Sequence, residues 1–222
     1  MARPDRRRQI MQAAEKLFTT RQFHEITTDE VARAAKVGKG TLYRYFRDKE
    51  DLFFQTATSG FDELCDLVQA RTAEGGSFSE QLLGACTQIR GFFDSRRQLI
   101  RMMHTEDGRV LLATGTIHER WLAHRKKLRA AVGDIIRRGV SEGQVRDDIP
   151  ADILAAFLLG LMRMQTMDLK DIPVKLRRPQ VVVDFFLRGA SSRNPASRGR
   201  KPAGTVRVDT RDLTVAARFS KG

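Results

Sequence analysis

At 222 residues with 41% hydrophobic content, the chain is long enough to bury one or two substantial cores, and a formal net charge of +13 points to a polyanionic partner. The excess lies at the ends, +5 over residues 1–50 and +6 over 190–222 against +2 over 51–189. MARPDRRRQIMQ has no apolar stretch of signal-peptide length, and the longest apolar run, ILAAFLLGLM at 153–162, is about half the roughly 20 residues of a membrane span, so a cytoplasmic chain with no membrane part is expected.

From Asp5 to about Thr20, Ile10, Ala13, Ala14, Leu17 and Phe18 keep the rhythm of an amphipathic helix whose other face carries Arg6, Arg7, Arg8 and Lys16. Thr27, three residues ahead of Glu30, forms a capping-box pattern. It predicts a short helix from Thr28 to about Ala35 that buries Val31 and Ala34 or Ala35. That helix should end near Val37–Gly38, and another should begin before Thr41. Asp48 can cap a long helix running through Phe54, Phe61 and Leu64, and Ser77 with Glu80 marks the next start. DSRRQLIRMMH reads as a further helix. Ile117, Trp121, Leu128, Val132, Ile135 and Val140 then hold helical spacing over roughly six turns, up to a stop and restart at Gly143 and Pro150. Residues 151–168 are apolar on nearly every side and predict burial against several neighbours. QVVVDFFLRGA is rich in strand-forming residues but reads as helix, because no partner strand is in sight. The stretch after Ala190, with eight cations and few large apolar residues, reads as a flexible basic tail.

Three short helices within the first 47 residues, with a tight turn between the second and third, have the shape of a helix-turn-helix unit, whose last helix enters the major groove. Gly38 and Gly40 would let the chain turn sharply and let the backbone approach DNA closely. Residues 10–53, and above all VGKGTLYRYFRDKEDL, resemble the N-terminal DNA-binding domain of the tetracycline-repressor (TetR) family, with Thr41, Leu42, Tyr43, Tyr45, Phe46, Lys49 and Leu52 at the family's spacing. GQVRDDIPADILAAFLLGLM at 143–162 is similar to the family's approach to its eighth helix. The resemblance departs at Lys36, where the family usually has glycine, and at Gly38, which replaces the common serine cap.

The resemblance implies an all-α, nine-helix subunit: a helix-turn-helix DNA-binding domain at 1–47, a helical effector-binding and dimerisation domain at 48–190, and a tail at 191–222. It implies a homodimer formed through the last two helices that binds a double-stranded, pseudo-palindromic operator, most simply as a repressor released by a small-molecule effector. Lys39, Gly40 and Thr41 would face base edges, and Thr28, Tyr43, Tyr45 and Lys49 would hold phosphates. Phe61, Phe92, Met102, Met103, His104 and Trp121 are the residue types that line adaptable apolar pockets and are the candidate effector lining, although each is individually more often core. The alternative is a DNA-binding interaction protein of the same fold, controlled by a protein partner.

An enzyme finds no positive support, because no phosphate-cradling loop or local nucleophile motif is present. No cofactor or metal is expected. In HERWLAH, His118 and His124 are six apart and fall on different faces of a helix, and Cys65 and Cys86 lie in apolar helical patterns that suit reduced, buried thiols. RGRKP at 198–202 loosely resembles an AT-hook core, but a solvated basic tail adding nonspecific affinity accounts for it more simply.

Overall fold

The computed structural model describes residues 5–71, 75–102, 115–167 and 172–191. Among them the chain forms ten α-helices: α1 (Arg6–Thr20), α2 (Thr28–Ala34), α3 (Lys39–Tyr45), α4 (Lys49–Ala57), α5 (Phe61–Ala70), α6 (Phe78–Ser95), α7 (Arg97–Met102), α8 (Gly115–Ser141), α9 (Ala151–Met167) and α10 (Pro179–Ala190). Short 3-10 turns precede α2 and α10, and a lone bridge joins Val145 to Ser191. The expected tail from Ser192 onward lies outside the described residues.

Local chemistry sets the helix starts. Asp5 accepts from the Arg8 amide and Asp48 from the Asp51 amide, while Thr27 with Glu30 and Ser77 with Glu80 close reciprocal capping boxes. α2 buries Val31, followed by Ala35 just past its end, and leaves Ala34 exposed. DSRRQLIRMMH divides, with Asp94 and Ser95 closing α6 and α7 starting only at Arg97. QVVVDFFLRGA is helical from Pro179, whose fixed φ suits a first helical position.

The long helix expected from Asp48 through Leu64 is two helices. The Thr56 and Thr58 hydroxyls donate back to the carbonyls of Leu52 and Phe54, 2.7 and 2.8 Å away, a local bond that competes with helix continuation. Gly60 then takes a left-handed φ of 76° and opens α5 in a new direction.

Apolar packing forms two clusters that change over at this break. The first joins Ile10, Ala14 and Phe18 of α1 to Ile26, Val31, Leu42, Phe46, Leu52 and Phe53, with Phe18 and Phe53 edge to face at 5.1 Å. It also takes in Leu99, Ile100 and Ile117 from later in the chain. The second is built from α5, α6, α8, α9 and α10 and contains both buried, free cysteines. At 27 residues, roughly 40 Å, α8 reaches both clusters, with Ile117 in one and Leu128, Val132, Ile135 and Ile136 in the other.

α9 departs from its expected all-round burial. Leu154, Ala155, Leu158 and Met162 are buried, but Ile153 is 46%, Phe157 58% and Met164 43% exposed, and Phe185 of neighbouring α10 is 68% exposed. One subunit covers only one flank of this pair and leaves these apolar side chains in water.

Where α8 passes α6, the Cβ missing from Gly139 would lie 2.6 Å from the Phe78 ring, and both residues are buried. Gly139→Ala should therefore cost about 1–3 kcal/mol by overpacking, read as a lowered midpoint in thermal unfolding, and Phe78→Leu in the same chain should recover part of the loss.

Candidate nucleic-acid interface

The first three helices form one compact unit because each contributes a buried residue to the first cluster: Phe18 from α1, Val31 from α2 and Leu42 from α3. That packing turns the other face of α3 outward, where Lys39, Gly40, Tyr43, Arg44 and Tyr45 are exposed and Thr41 is half-buried. α3 opens at Gly38, which offers no side-chain cap.

The turn itself corrects the sequence expectation. Gly38 is ordinary extended backbone at φ −71°, and neither it nor Gly40 would bring an added Cβ within 4 Å of other atoms. Lys36 makes the sharp bend instead, with φ 52°, a left-handed conformation that costs an L-residue about 1–2 kcal/mol. Gly40 leaves open space above the helix.

Two side-chain links brace α3 against α2. The Thr28 and Tyr43 hydroxyls share a hydrogen bond of 3.0 Å, and the Lys39 ammonium lies 2.8 Å from Asp29 Oδ1. Hydrogen bonding to Asp29, then its charge, raises the Lys39 pKa, so the side chain is a fixed cation. Because both partners are more than half exposed, the pair contributes little to stability, and a phosphate or base edge can replace Asp29 at small cost. Asp29, Ala32, Arg33, Val37 and Lys39 line a shallow cleft between the two helices.

Lys49 is placed differently from the other candidates. Its ammonium donates to the carbonyls of Phe23 and Ile26, both at 3.0 Å, and sits 4.3 Å from the Phe23 ring centroid. It ties the turn before α2 to the start of α4. Glu30 also does two jobs: a hydrogen bond from Arg21 and the capping bonds of Thr27 hold its carboxyl down at about 2. Arg7, itself exposed, donates to Gln55 of α4 at 2.6 Å with its guanidinium 6.0 Å from the Phe46 ring centroid.

The candidate effector residues do not form one group. Phe61 and Phe92 meet edge to face at 5.6 Å in the second cluster, whereas Trp121 packs on the first. Met102 ends α7, and Met103 and His104 lie outside the described residues. Sequence reasoning missed the residues that join the two clusters. The Asp51 side chain, 5% exposed, accepts from Arg120 Nη1 at 2.6 Å, Gln55 Nε2 at 2.9 Å and the Arg47 amide at 3.1 Å. Burial alone would raise its pKa, but the hydrogen bonds of Gln55, Arg120 and Arg47 bring it below the ordinary carboxylate value. His124 stacks on Phe61 at 4.7 Å and Phe54 at 5.6 Å, and burial pushes its pKa down. Arg120 and His124 lie four apart on α8, but nothing in the sequence tied them to α4.

A compact helix-turn-helix with exposed cations and tyrosines on its last helix, attached to a helical domain with an open apolar face, defines a DNA-binding regulator. Residues 10–56 match the family described as bacterial regulatory proteins, tetR family. The HTH-type transcriptional regulator EthR of Mycolicibacterium smegmatis is 30% identical over 181 residues, covering 75% of this chain and 76% of that protein. The repressor AcnR of Corynebacterium diphtheriae is 24% identical over 155 residues, or 69% and 75% of the two chains. Among solved structures, the regulator FadR of Bacillus subtilis in complex with stearoyl-CoA superposes with a TM-score of 0.68 at 16% identity, covering 82% of this chain and 98% of that one. The chain belongs to the TetR family and is a DNA-binding transcriptional regulator, not an enzyme. No helix among the described residues is long and apolar enough to cross a membrane.

Removing Lys49 should have two separable effects. Lys49→Ala removes the side-chain donor to the Ile26 carbonyl and one of the two donors to the Phe23 carbonyl, and should lower stability by about 1–3 kcal/mol, while weakening binding to all DNA sequences by a similar factor. Chemical denaturation beside a binding titration on specific and random duplexes checks both.

Proposed function

We propose that the protein is a cytoplasmic homodimeric repressor that binds a pseudo-palindromic operator and is released by a small-molecule effector in its C-terminal domain. The observation that carries it is the outward face of α3, where exposed Lys39, open Gly40 and half-buried Thr41 stand beside the hydrogen-bonded Thr28–Tyr43 pair. In this assignment Lys39, Gly40 and Thr41 read base edges, and Thr28, Tyr43 and Tyr45 hold phosphates on either side. Lys49 anchors the unit and has one N–H left for a phosphate. Residues 1–47 form the reading head, and residues 48–190 the effector and dimerisation domain.

Dimerisation is supported by the apolar face of α9 and α10, which a second copy would cover. The half-sites then lie about 34–36 Å apart or slightly more, one helical turn of DNA. An effector acts by binding the arrangement that mismatches this spacing more tightly than the one that fits. The aromatic group of Phe61, Phe92, Phe93 and His124 suits an effector with a substantial apolar part, a choice in keeping with the acyl-CoA held by the Bacillus subtilis structural neighbour.

Selection of bound duplexes from a random pool tests the function directly. One inverted repeat is expected, and recovery of unrelated sequences by folded, dimeric protein would overturn it. Lys39→Ala with Thr41→Ala should relax the selected consensus, with about 1–3 kcal/mol of discrimination lost at the bases they read; an unchanged consensus would remove these residues from base recognition. Phe157→Glu or Phe185→Glu should give a monomer by sedimentation and lower affinity for the full repeat by about 10²-fold, leaving half-site binding intact.

A further inference from the structure

The reading head is attached to the rest of the subunit along the chain and by packing. The covalent route runs from α4 to α5 through Thr58, Ser59 and Gly60, where the helix breaks and the chain changes direction. By packing, Leu99 and Ile100 of α7 join the first cluster, and so does the start of α8. From its first turns, Thr116 accepts from the Arg47 guanidinium at 2.9 Å, Ile117 and Trp121 pack in the first cluster, and Arg120 reaches Asp51 while its guanidinium lies 4.5 Å from the Phe54 ring centroid. From there the helix continues unbroken into the second cluster, and Arg137 ties it to Asp152 of α9 at 3.0 Å, on the helix that carries Phe157.

We infer that the Asp51–Arg120 pair is a specificity-determining latch: it fixes the reading head on α8 and so selects the spacing between the two half-sites that the dimer accepts. The inference rests on the dimeric-operator function proposed above. Asp51 suits the task because a carboxylate 5% exposed has no water to turn to if Arg120 leaves, so the pair favours one arrangement strongly. Arg120 is 38% exposed and rests on an aromatic face, and when it is substituted Gln55 and the Arg47 amide still donate to Asp51. With the latch closed, a spacer one base pair too long displaces a half-site by about 3.4 Å and also rotates it. With the latch open, the break between α4 and α5 is where the chain can take up that displacement.

The test uses the full-length protein and its selected half-sites, set apart by spacers lengthened or shortened one base pair at a time. Wild type is expected to show a sharp optimum. Arg120→Met should flatten the profile, shrinking the preference for the best spacer over its neighbour by about tenfold, while Arg120→Lys, which keeps the charge, restores most of it. Ile136→Val, a truncation in the second cluster away from the latch, should change affinity at all spacers alike and leave the profile in shape. If Arg120→Met does not fold, Arg120→Gln is read in the same way. A sharp profile in the uncharged variant would overturn the latch alone. A wild type with no preferred spacer would overturn the dimeric-operator function, and the latch with it.

Discussion

The carboxylate of Asp51 imposes the constraint on which the relation between the two halves of the molecule depends. A charge with a side-chain exposure of 5% must be met by donors, and three come from different places: a neighbour on α4, the amide that ends the recognition unit, and an arginine 69 residues away on α8. Satisfying it forces α8 to begin against the DNA-binding unit. The length of α8 then carries that position into the second cluster.

Strong and weak interactions are distributed by task. At the outward face of α3 the links are exposed and exchangeable, as in Lys39 with Asp29, so that another anion can take the partner's place at small cost. Behind it, Lys49 gives two of its three N–H groups to backbone carbonyls, and Arg7 donates to Gln55. A regulator needs both kinds: contacts that trade with the ligand, and a frame that does not move when they do.

Much of this was legible in the sequence because it is written in local chemistry. The capping boxes at Thr27 and Ser77, the cap at Asp48 and the helix starting at Pro179 follow from residues a few positions apart. The break at Gly60 was not, because apolar periodicity runs through it and the hydroxyl back-bonds of Thr56 and Thr58 become visible only in the folded backbone. The turn residue was misjudged for a related reason: two glycines stood beside Lys36, yet the fold puts the left-handed conformation on the lysine. Lys49 reads as a phosphate-holding cation, and its bonds to the turn before α2 have no local signature. The Asp51–Arg120 pair has no local signature, since its partners meet only after both clusters have formed.

The uncovered apolar face of α9 and α10 makes the subunit's state a matter of mass action. Once Phe157 and Phe185 are shielded only by a second copy, pairing depends on the square of the free-subunit concentration, and dilution both unpairs the protein and removes stability. On the proposed two-half-site operator, occupancy would then rise more steeply than protein abundance. A modest change in synthesis rate would switch such an operator over a narrow range.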